Sequence, residues 1–341
     1  MLHFESTEYD RYVYQNELKD FLPQKFIDFH VHINKEEIER LDNCKKSSSW
    51  VRHVYSEMQA EDLLELYRKL FPENEVTPLA FGSCSQNIPA INTYVQDCAA
   101  KYHFPILLRT SFDMSASDIE QQVIDGGFIG LKPYLTCCPP YIPAKEIRIF
   151  DFLPHAHLEI ANKHGWIIML HIPRDLRFKD PVNLAQLLEI EEKYPNVKLI
   201  VAHIGRAYAK EDIGDAFEVL GKTKNMLFDF TANMCDDAIE ACIRTFGAKR
   251  LLFGSDLPVA IMRMYRIVEN GIYYNVVPRG LYGDVSNLAH MRETDEPNVT
   301  IMIYEQLLAL KRVAEKLQLS KDEINDILYG NAQRLIESFQ N

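Results

Sequence analysis

Two histidines, His30 and His32, lie two residues apart in the apolar segment FIDFHVHI, residues 26–33. In a β-strand, alternate side chains point to opposite faces, so both imidazoles would point to the same face. Imidazole nitrogens are common ligands of transition metals. The spacing therefore predicts part of a metal centre, provided that other segments supply further ligands on the same side.

Further candidate ligands stand near the ends of later apolar segments. They are His171 in WIIMLHI (166–172), His203 in VKLIVAHIG (197–205) and Asp256 in RLLFGSDLP (250–258). A single histidine on an apolar strand is usually a packed, hydrogen-bonded residue, and Asp256 alone could cap the following loop. Imidazoles and a carboxylate at four strand ends are costly to bury unless they are satisfied together, and a divalent cation does this. The joint pattern predicts a metal site.

Eight apolar segments of this kind follow one another along the chain. Those not yet quoted are VTPLAFG (76–82), FPILLRTSF (104–112), FIGLKPY (128–134) and MLFDFTAN (226–233). Segments with helical periodicity separate them, and eight strand–helix units in series predict an α/β fold of the (β/α)8, or TIM, barrel type. In that fold the carboxyl ends of the strands form the active-site face. On strand parity, Leu199, Val201 and His203 share the inward face, as do Leu252, Gly254 and Asp256.

We expect one domain over residues 1–341, with no linker or internal repeat. Long loops follow the first and eighth strands, at 34–56 and 259–298, and a helical extension closes the chain. Loops of this length usually form substrate walls or subunit contacts.

The composition limits the class of partner. The chain has 341 residues and a formal net charge of −12, which argues against nucleic acid or anionic membrane as its main partner. No signal peptide or membrane-spanning segment is visible. The seven cysteines show no paired spacing, so we expect reduced thiols in a cytoplasmic protein, with one cysteine as a metal ligand as the weaker alternative.

A second His-x-His pair, His155 and His157 in PHAHLEIANKHG, has a different interpretation. Pro154 suits a first helical turn and Gly165 a helix C-cap, so the segment predicts a helix. Residues two apart lie on different sides of a helix and cannot share a ligand. We therefore expect surface or helix-face histidines here.

The ordered set of motifs resembles the amidohydrolase superfamily over residues 26–336. Asp28-x-His30-x-His32 on the first strand, the histidines in LHI and AHIG, and FGSDLP on the eighth strand carry this resemblance. YGNAQRLI (329–336) is similar to the closing helix of the amidohydrolase-related branch. That branch contains metal-dependent hydrolases and nonoxidative decarboxylases such as aminocarboxymuconate-semialdehyde decarboxylase.

The resemblance implies a mononuclear site held by His30, His32, His171 and Asp256. Zinc is the first choice for this nitrogen and oxygen set, with manganese, iron or cobalt as substitutes. It also implies that a metal-activated water attacks the substrate, that His203 is a nearby acid or base, and that Asp256 takes a proton besides binding the metal. In some superfamily members a carboxylated lysine bridges two metals, and Lys132 could be that lysine. We favour the mononuclear site over this binuclear one.

Five residues are candidates for substrate binding. They are Lys132, Tyr134, Arg174, Arg206 and Asn233. Arg174 and Arg206 each follow a candidate histidine by three residues, where a guanidinium suits a substrate carboxylate, although each could instead pair with a surface carboxylate. Together with Lys132 they favour a small anionic substrate.

Three functions stay open at this point. The first is a metal-dependent hydrolase of an ester, lactone or amide in a small carboxylic acid. The second is a nonoxidative decarboxylase on the same metal site, and the third is a metal-free or non-catalytic relative. We expect a homo-oligomer, a dimer, with no nucleic acid or membrane as partner.

Overall fold

Eight parallel strands form the centre of the molecule. They are β1 (Lys25–Ile33), β2 (Glu75–Gly82), β3 (Leu108–Thr110), β4 (Gly130–Pro133), β5 (Ile167–Leu170), β6 (Lys198–Val201), β7 (Leu227–Asp229) and β8 (Leu251–Leu252). This computed structural model describes residues 4–40, 54–55, 57–84 and 87–339. β1 pairs with β2, and β3 to β8 pair in chain order.

Backbone hydrogen bonds join these two sheets into a ring. The amide of Leu107 donates to Ala80 on one side, at 3.1 Å. On the other side the amides of Phe29 and His32 donate to Phe253 and Leu257, at 2.9 and 2.8 Å. The chain therefore forms the predicted (β/α)8 barrel.

Helices alternate with these strands. The longer ones are Ala60–Leu70, Ile88–Tyr102, Ala116–Gly126, His155–His164, Pro181–Lys193, Asp236–Phe246 and Met302–Leu317. The shorter ones are Glu8–Val13, Glu36–Arg40, Ile149–Phe152, Ala216–Leu220, Lys321–Asn325 and Asn331–Glu337. No helix in these described ranges is long and apolar enough to cross a bilayer.

The histidine-bearing helix has the predicted ends. It runs from His155 to His164, with Pro154 as its N-cap and Gly165, at φ 68°, as its C-cap. Of the expected surface or helix-face histidines, His157 lies on the buried face of the helix, and its Nε2 donates to the carbonyl of Met114 at 2.8 Å. His155 is partly exposed and bonds Tyr194 through Nδ1, at 2.8 Å.

Two buried clusters fill the molecule. The larger one contains residues of the helices and the strand faces that pack against them. The smaller one fills the barrel interior with residues from around the ring, including Phe29, Phe81, Met169, Ile200 and Leu252. The closing helix covers one end of this interior with Ala332 and Ile336.

The parity argument for the sixth strand is wrong. Ile200 belongs to the interior cluster, whereas Leu199 and Val201 belong to the larger cluster. His203 still reaches the barrel axis, because β6 ends at Val201 and the chain turns sharply at His203, at φ 59°. The eighth strand keeps the predicted parity, with Leu252 in the interior cluster.

The segment 259–298, predicted as a long loop, contains a three-stranded sheet. Its strands are β9 (Tyr265–Glu269), β10 (Ile272–Pro278) and β11 (Met291–Thr294). β10 is central, antiparallel to β9 and parallel to β11. Asn270 and Gly271 form the hairpin turn with positive φ angles of 52° and 76°, which suit a tight turn between these strands. Most of the other long segment, 34–56, lies outside the described residues.

Six cysteines fall in the described part of the chain, and none of them forms a disulfide bond there.

Candidate active site

Three of the predicted residues place their ligand atoms together at the carboxyl ends of the strands. One ligand atom from each of His30, His203 and Asp256 lies within 4.8 Å of the other two. His32 and His171 adjoin this group: His32 Nε2 lies 3.2 Å from Asp256 Oδ1, and the ring of His171 lies 5.1 Å from that of His203. The five strand-end residues therefore converge, as their positions in the sequence predicted.

His30 is oriented by a carboxylate that sequence reasoning missed. Its Nδ1–H donates to Asp229 Oδ2 at 3.0 Å, which leaves the lone pair of Nε2 for another partner. Asp229 is fully buried at the end of β7, and its other oxygen accepts the backbone N–H of His203 at 2.7 Å. One carboxylate thus fixes the imidazole of His30 and the backbone position of His203.

His203 presents its Nε2 in the same way. Its Nδ1–H donates to the backbone carbonyl of Thr231 at 2.9 Å, in the loop after β7. A carbonyl oxygen only accepts, so the hydrogen is on Nδ1 and Nε2 is free to bind a metal or a proton. Asn233 supports this loop by donating to the carbonyls of His203 and Ala207, at 3.1 and 3.0 Å.

His32 is held by Tyr134. The Tyr134 hydroxyl lies 2.8 Å from His32 Nδ1 and 3.2 Å from the carbonyl of Gly82. A carboxylate only accepts, so Nε2–H of neutral His32 donates to Asp256 Oδ1 at 3.2 Å, and Nδ1 accepts from the Tyr134 hydroxyl. Binding of a metal by Nε2 would place the hydrogen on Nδ1, and the Tyr134 hydroxyl would then donate to Gly82.

Burial favours the neutral form of three of these histidines. Burial lowers the pKa of His30 and His171 well below the usual imidazole range and also lowers that of His32. The neighbouring cations Lys132 and Arg206 lower the pKa values of His30 and His171 further, respectively. Neutral imidazole is the form that binds metal.

The surroundings of Asp256 favour its charged form. Burial works against ionisation of this carboxyl, but the hydrogen bond from His32 and the adjacent imidazoles outweigh it and lower its pKa. Asp256 has a positive φ of 69°, and its backbone N–H donates to the carbonyl of His30 at 3.0 Å. The carboxylate is therefore ionised and fixed relative to β1.

These residues fit a divalent cation. Three imidazole nitrogens and one carboxylate oxygen are a suitable set for a borderline transition metal. The Nδ1 atom of His171 is buried and has no hydrogen-bond partner in the described part of the chain, which a buried polar atom rarely shows. Asp28, two residues before His30, is a structural group whose oxygens accept from the Tyr67 hydroxyl and the Ser255 amide, at 2.8 and 2.7 Å. Burial raises the pKa of Asp28 to about 7.

Lys132 lies inside the barrel next to the metal-binding residues. It is 1% exposed, and its Nζ is 3.4 Å from His30 Nε2. Burial lowers its pKa to about 8, while Asp229 and Asp256 oppose that shift. A buried amine at this position can contact a substrate bound at the metal.

Arg109 is a second buried cation that sequence reasoning missed. It is 0% exposed at the end of β3, and its guanidinium carbon lies 4.0 Å from the ring centre of Tyr134. One NH2 group donates to the Cys137 sulfur at 3.3 Å. The FPILLRTSF segment gave no sign of this, because an arginine within an apolar run is equally consistent with an edge position.

The two predicted arginines differ in their surroundings. Arg174 donates through Nε to both oxygens of Asp180, at 3.1 Å, so the alternative of a pair with a nearby carboxylate is the one observed. Within the described residues, the hydrogen bonds of Arg206 go from NH1 to the backbone carbonyls of residues 172–174, at 3.3–3.5 Å. Its charge acts on His171.

The comparisons with known proteins identify the family of the chain. The sequence profile of the amidohydrolase family matches residues 27–337, so the chain belongs to the amidohydrolase family. No curated protein matches the chain at the level of sequence.

Solved structures with the same fold cover nearly the whole chain. A 2,6-dihydroxybenzoate decarboxylase in complex with 2,6-dihydroxybenzoate has 12% identity and a TM-score of 0.59, over 94% of this chain and 100% of its own. A probable 2-pyrone-4,6-dicarboxylic acid hydrolase from Acinetobacter baumannii, with citric acid bound, has 14% identity and a TM-score of 0.59, over 93% and 99%. A dihydroxybenzoic acid decarboxylase from Polaromonas sp. JS666, with manganese and 2-nitroresorcinol, has 14% identity and a TM-score of 0.55, over 92% and 97%. These likenesses concern the fold, and the family includes both hydrolases and decarboxylases.

Proposed function

We propose that the protein is a metal-dependent hydrolase that cleaves an ester, lactone or amide bond in a small carboxylate-bearing molecule. The observation that carries the proposal is the convergence of His30, His203 and Asp256, whose ligand atoms lie within 4.8 Å of one another at the strand ends. His30 has its Nδ1 bonded to the Asp229 carboxylate, which is the usual arrangement behind a metal ligand. His203 has its Nδ1 bonded to the Thr231 carbonyl, which fixes its ring beside the site.

His30, His32, His171 and Asp256 would hold one divalent ion, with zinc as the first choice. Such an ion would act as a Lewis acid, which lowers the pKa of a bound water molecule and polarises a carbonyl. His203 would act beside it as acid or base rather than as a ligand. A second ion bridged by a carboxylated Lys132 is the less favoured arrangement, because four protein ligands already suffice for one ion.

Proton transfer in this site falls to Asp256 and His203. The ionised carboxylate of Asp256 accepts a proton from the attacking water. His203 has a free Nε2 on the same side, and its Nδ1 hydrogen bond to Thr231 fixes the ring. His203 can therefore orient the water through Nε2 and, once Nε2 has received the proton that Asp256 took from the water, pass that proton to the leaving group.

Substrate binding is assigned mainly to cations around the site. Lys132 and Arg109, both buried, would bind a carboxylate on one side, and Arg206 would do so near His171. Guanidinium and carboxylate form strong, charge-assisted pairs. Arg174 and Asn233 already have protein partners, so they contribute to the proposal only by shaping the loops, and Tyr134 contributes through His32.

The test is metal analysis followed by a substrate panel. Purified protein loaded with zinc or manganese is offered lactones, esters and amides of small carboxylic acids, together with aromatic acids, and release of acid and of CO2 is measured separately. The double variant His30→Ala/His32→Ala is the control for metal dependence. Acid release that requires the metal supports the proposal. CO2 release would assign the decarboxylase alternative, and full metal-independent activity would contradict both.

A further inference from the structure

A group of arginine and aromatic side chains lies beside the metal-binding residues, at the junction of the barrel and the small sheet. It consists of Arg177, Tyr208, Arg266, Tyr273 and His290. The ring of Tyr208 connects this group to the site, with its centre 6.2 Å from that of His203 and 5.0 Å from that of Tyr273. The negative charge of Asp256 contributes to raising the pKa of the Tyr208 phenol, so Tyr208 lies within electrostatic range of the site.

Arg266 is the central cation of this group. Its guanidinium carbon lies 4.7 Å from the ring centre of Tyr208 and 4.9 Å from that of Tyr273. Its Nε donates to Asn275 Oδ1 on the paired strand, at 3.0 Å. Its NH1 donates to the carbonyl of Ala232, at 2.9 Å. Ala232 follows Thr231, whose carbonyl accepts from His203, so neighbouring carbonyls of one loop position Arg266 and His203.

Arg266 has no counter-ion among the described residues. Its hydrogen bonds within the described residues go to an amide and a backbone carbonyl, and neither partner is charged. Burial and the nearby Arg177 lower its pKa, which means that the guanidinium would gain from a neighbouring anion. A partly buried cation without an anion is unfavourable unless a ligand supplies the charge.

Arg177, unlike Arg266, has a carboxylate partner. It also lies against Tyr273, at 4.7 Å, but its NH1 pairs with Asp212 at 2.7 Å. Its NH2 donates to Nε2 of His290, whose Nδ1 donates to the carbonyl of Tyr273 at 2.9 Å. Arg177 is thus neutralised and builds the wall, whereas the NH2 of Arg266 makes no hydrogen bond with a described residue.

We infer that Arg266, with the hydroxyl of Tyr208, binds a second carboxylate of the substrate, so that the substrate is a small diacid held at one end by the metal side of the barrel and at the other by the small sheet. This inference rests on the proposed function and specifies its substrate class. Arg266 is then a specificity-determining residue, because it binds a group that does not react. An arginine fork binds a carboxylate through two parallel hydrogen bonds.

Binding of paired acids to the metal-loaded protein tests this inference. The probes are benzoate against isophthalate and butyrate against glutarate, which differ by one carboxylate and cover a rigid and a flexible spacing. We expect the wild-type protein to bind at least one diacid roughly tenfold or more tightly than its monoacid, as one charge-assisted bidentate pair allows. Arg266→Gln should remove most of that preference and leave monoacid affinity and metal content unchanged.

Three further variants make the result specific. Arg266→Lys keeps the charge without the fork and should keep only part of the preference. Tyr208→Phe removes one hydroxyl, leaves the bonds of Arg266 intact, and should weaken diacid binding even if Arg266→Gln does not fold. Arg292→Gln removes an exposed cation on the same sheet, where it lies over Tyr274, and should bind both acids as the wild type does.

The outcomes separate this inference from the proposed function. A wild-type protein that prefers neither diacid, or a preference that survives in Arg266→Gln and in Tyr208→Phe, overturns the diacid inference while metal-dependent turnover stands. A preference that depends on Arg266 in a protein without metal-dependent turnover supports the diacid site and overturns the proposed reaction.

Discussion

The carboxylate of Asp229 accepts the Nδ1–H of His30 at 3.0 Å, inside the barrel and with both groups buried. The bond joins β7 to β1 and selects the tautomer in which Nε2 of His30 is free. The second carboxylate oxygen of Asp229 accepts a hydrogen bond from the backbone amide of His203 at 2.7 Å. Asp229 therefore positions two of the site's histidines without belonging to the predicted ligand set.

Replacement of Asp229 should weaken metal binding without removing a ligand. We expect Asp229→Asn to lower the affinity for zinc by roughly 10–100-fold, the usual effect of losing a carboxylate behind a metal-binding histidine. Titration against a chromophoric chelator measures the change. The matched control is Asp236→Asn, which breaks an exposed pair with Arg312 and should leave the affinity unchanged. Equal affinity of Asp229→Asn and wild type would show that Asp229 only supports the fold.

The two His-x-His pairs should differ in their effect on metal content. His30→Ala/His32→Ala removes two ligand candidates, so we expect metal content to fall from about one ion per chain to near zero. His155→Ala and His157→Ala should keep the full content per folded chain, because both side chains bond residues outside the site. Mass spectrometry for metals, with circular dichroism to confirm folding, gives the comparison. A double variant of His30 and His32 that retains the ion would refute the assigned site, and two ions in the wild type would favour the Lys132 bridge.

Glu305 should make the stability of the protein depend on pH. It is partly buried on the helix Met302–Leu317, and burial raises its carboxyl pKa from 4.5 to about 7, with Arg312 opposing the shift. The folded state prefers the protonated form, so this contribution to stability is complete below the unfolded pKa and is lost as pH rises through about 7.

Glu305→Gln should remove that loss, since glutamine resembles the protonated acid at every pH. We expect the free energy of unfolding in urea to increase by an amount on the order of 1 kcal/mol near pH 8.5, with little change near pH 5. Glu315→Gln, at an exposed position of the same helix, is the control and should show no such difference. A gain of equal size at both pH values would point to packing rather than ionisation.

The eight barrel strands could be predicted because apolar runs bounded by turn residues carry a local signal. His30 and His32 could be placed at a strand end for the same reason. The role of Asp229 could not, because MLFDFTAN shows only an acidic residue within a strand, and its partner His30 is 199 residues away. That contact exists only through the closure of the barrel.

Other misses had a signal or a clear physical cause. Asn270-Gly271 between apolar segments is a hairpin signal for β9 and β10, and the prediction of a long loop over 259–298 does not include it. Strand parity predicts an inward His203, but parity ends where β6 ends, and the turn at φ 59° decides the direction of this side chain. Three statements stay predictions. They are the single domain over residues 1–341, the dimer, and the roles of the site residues.

A variant of His203 can show whether this residue transfers a proton or binds the metal. Its ligand atom lies with those of His30 and Asp256, so both roles fit its position. We expect His203→Asn to keep the ion and to lose roughly 10²–10⁴-fold in turnover, because His30, His32, His171 and Asp256 complete one site and positioned proton transfer contributes about that factor. Metal content and turnover are measured on the same preparation, with the substrate that the panel identifies. Asn233→Ala, which removes only the support of the loop, is the comparison and should reduce turnover less. Loss of the ion together with activity would make His203 a ligand, and wild-type turnover would leave Asp256 as the proton acceptor.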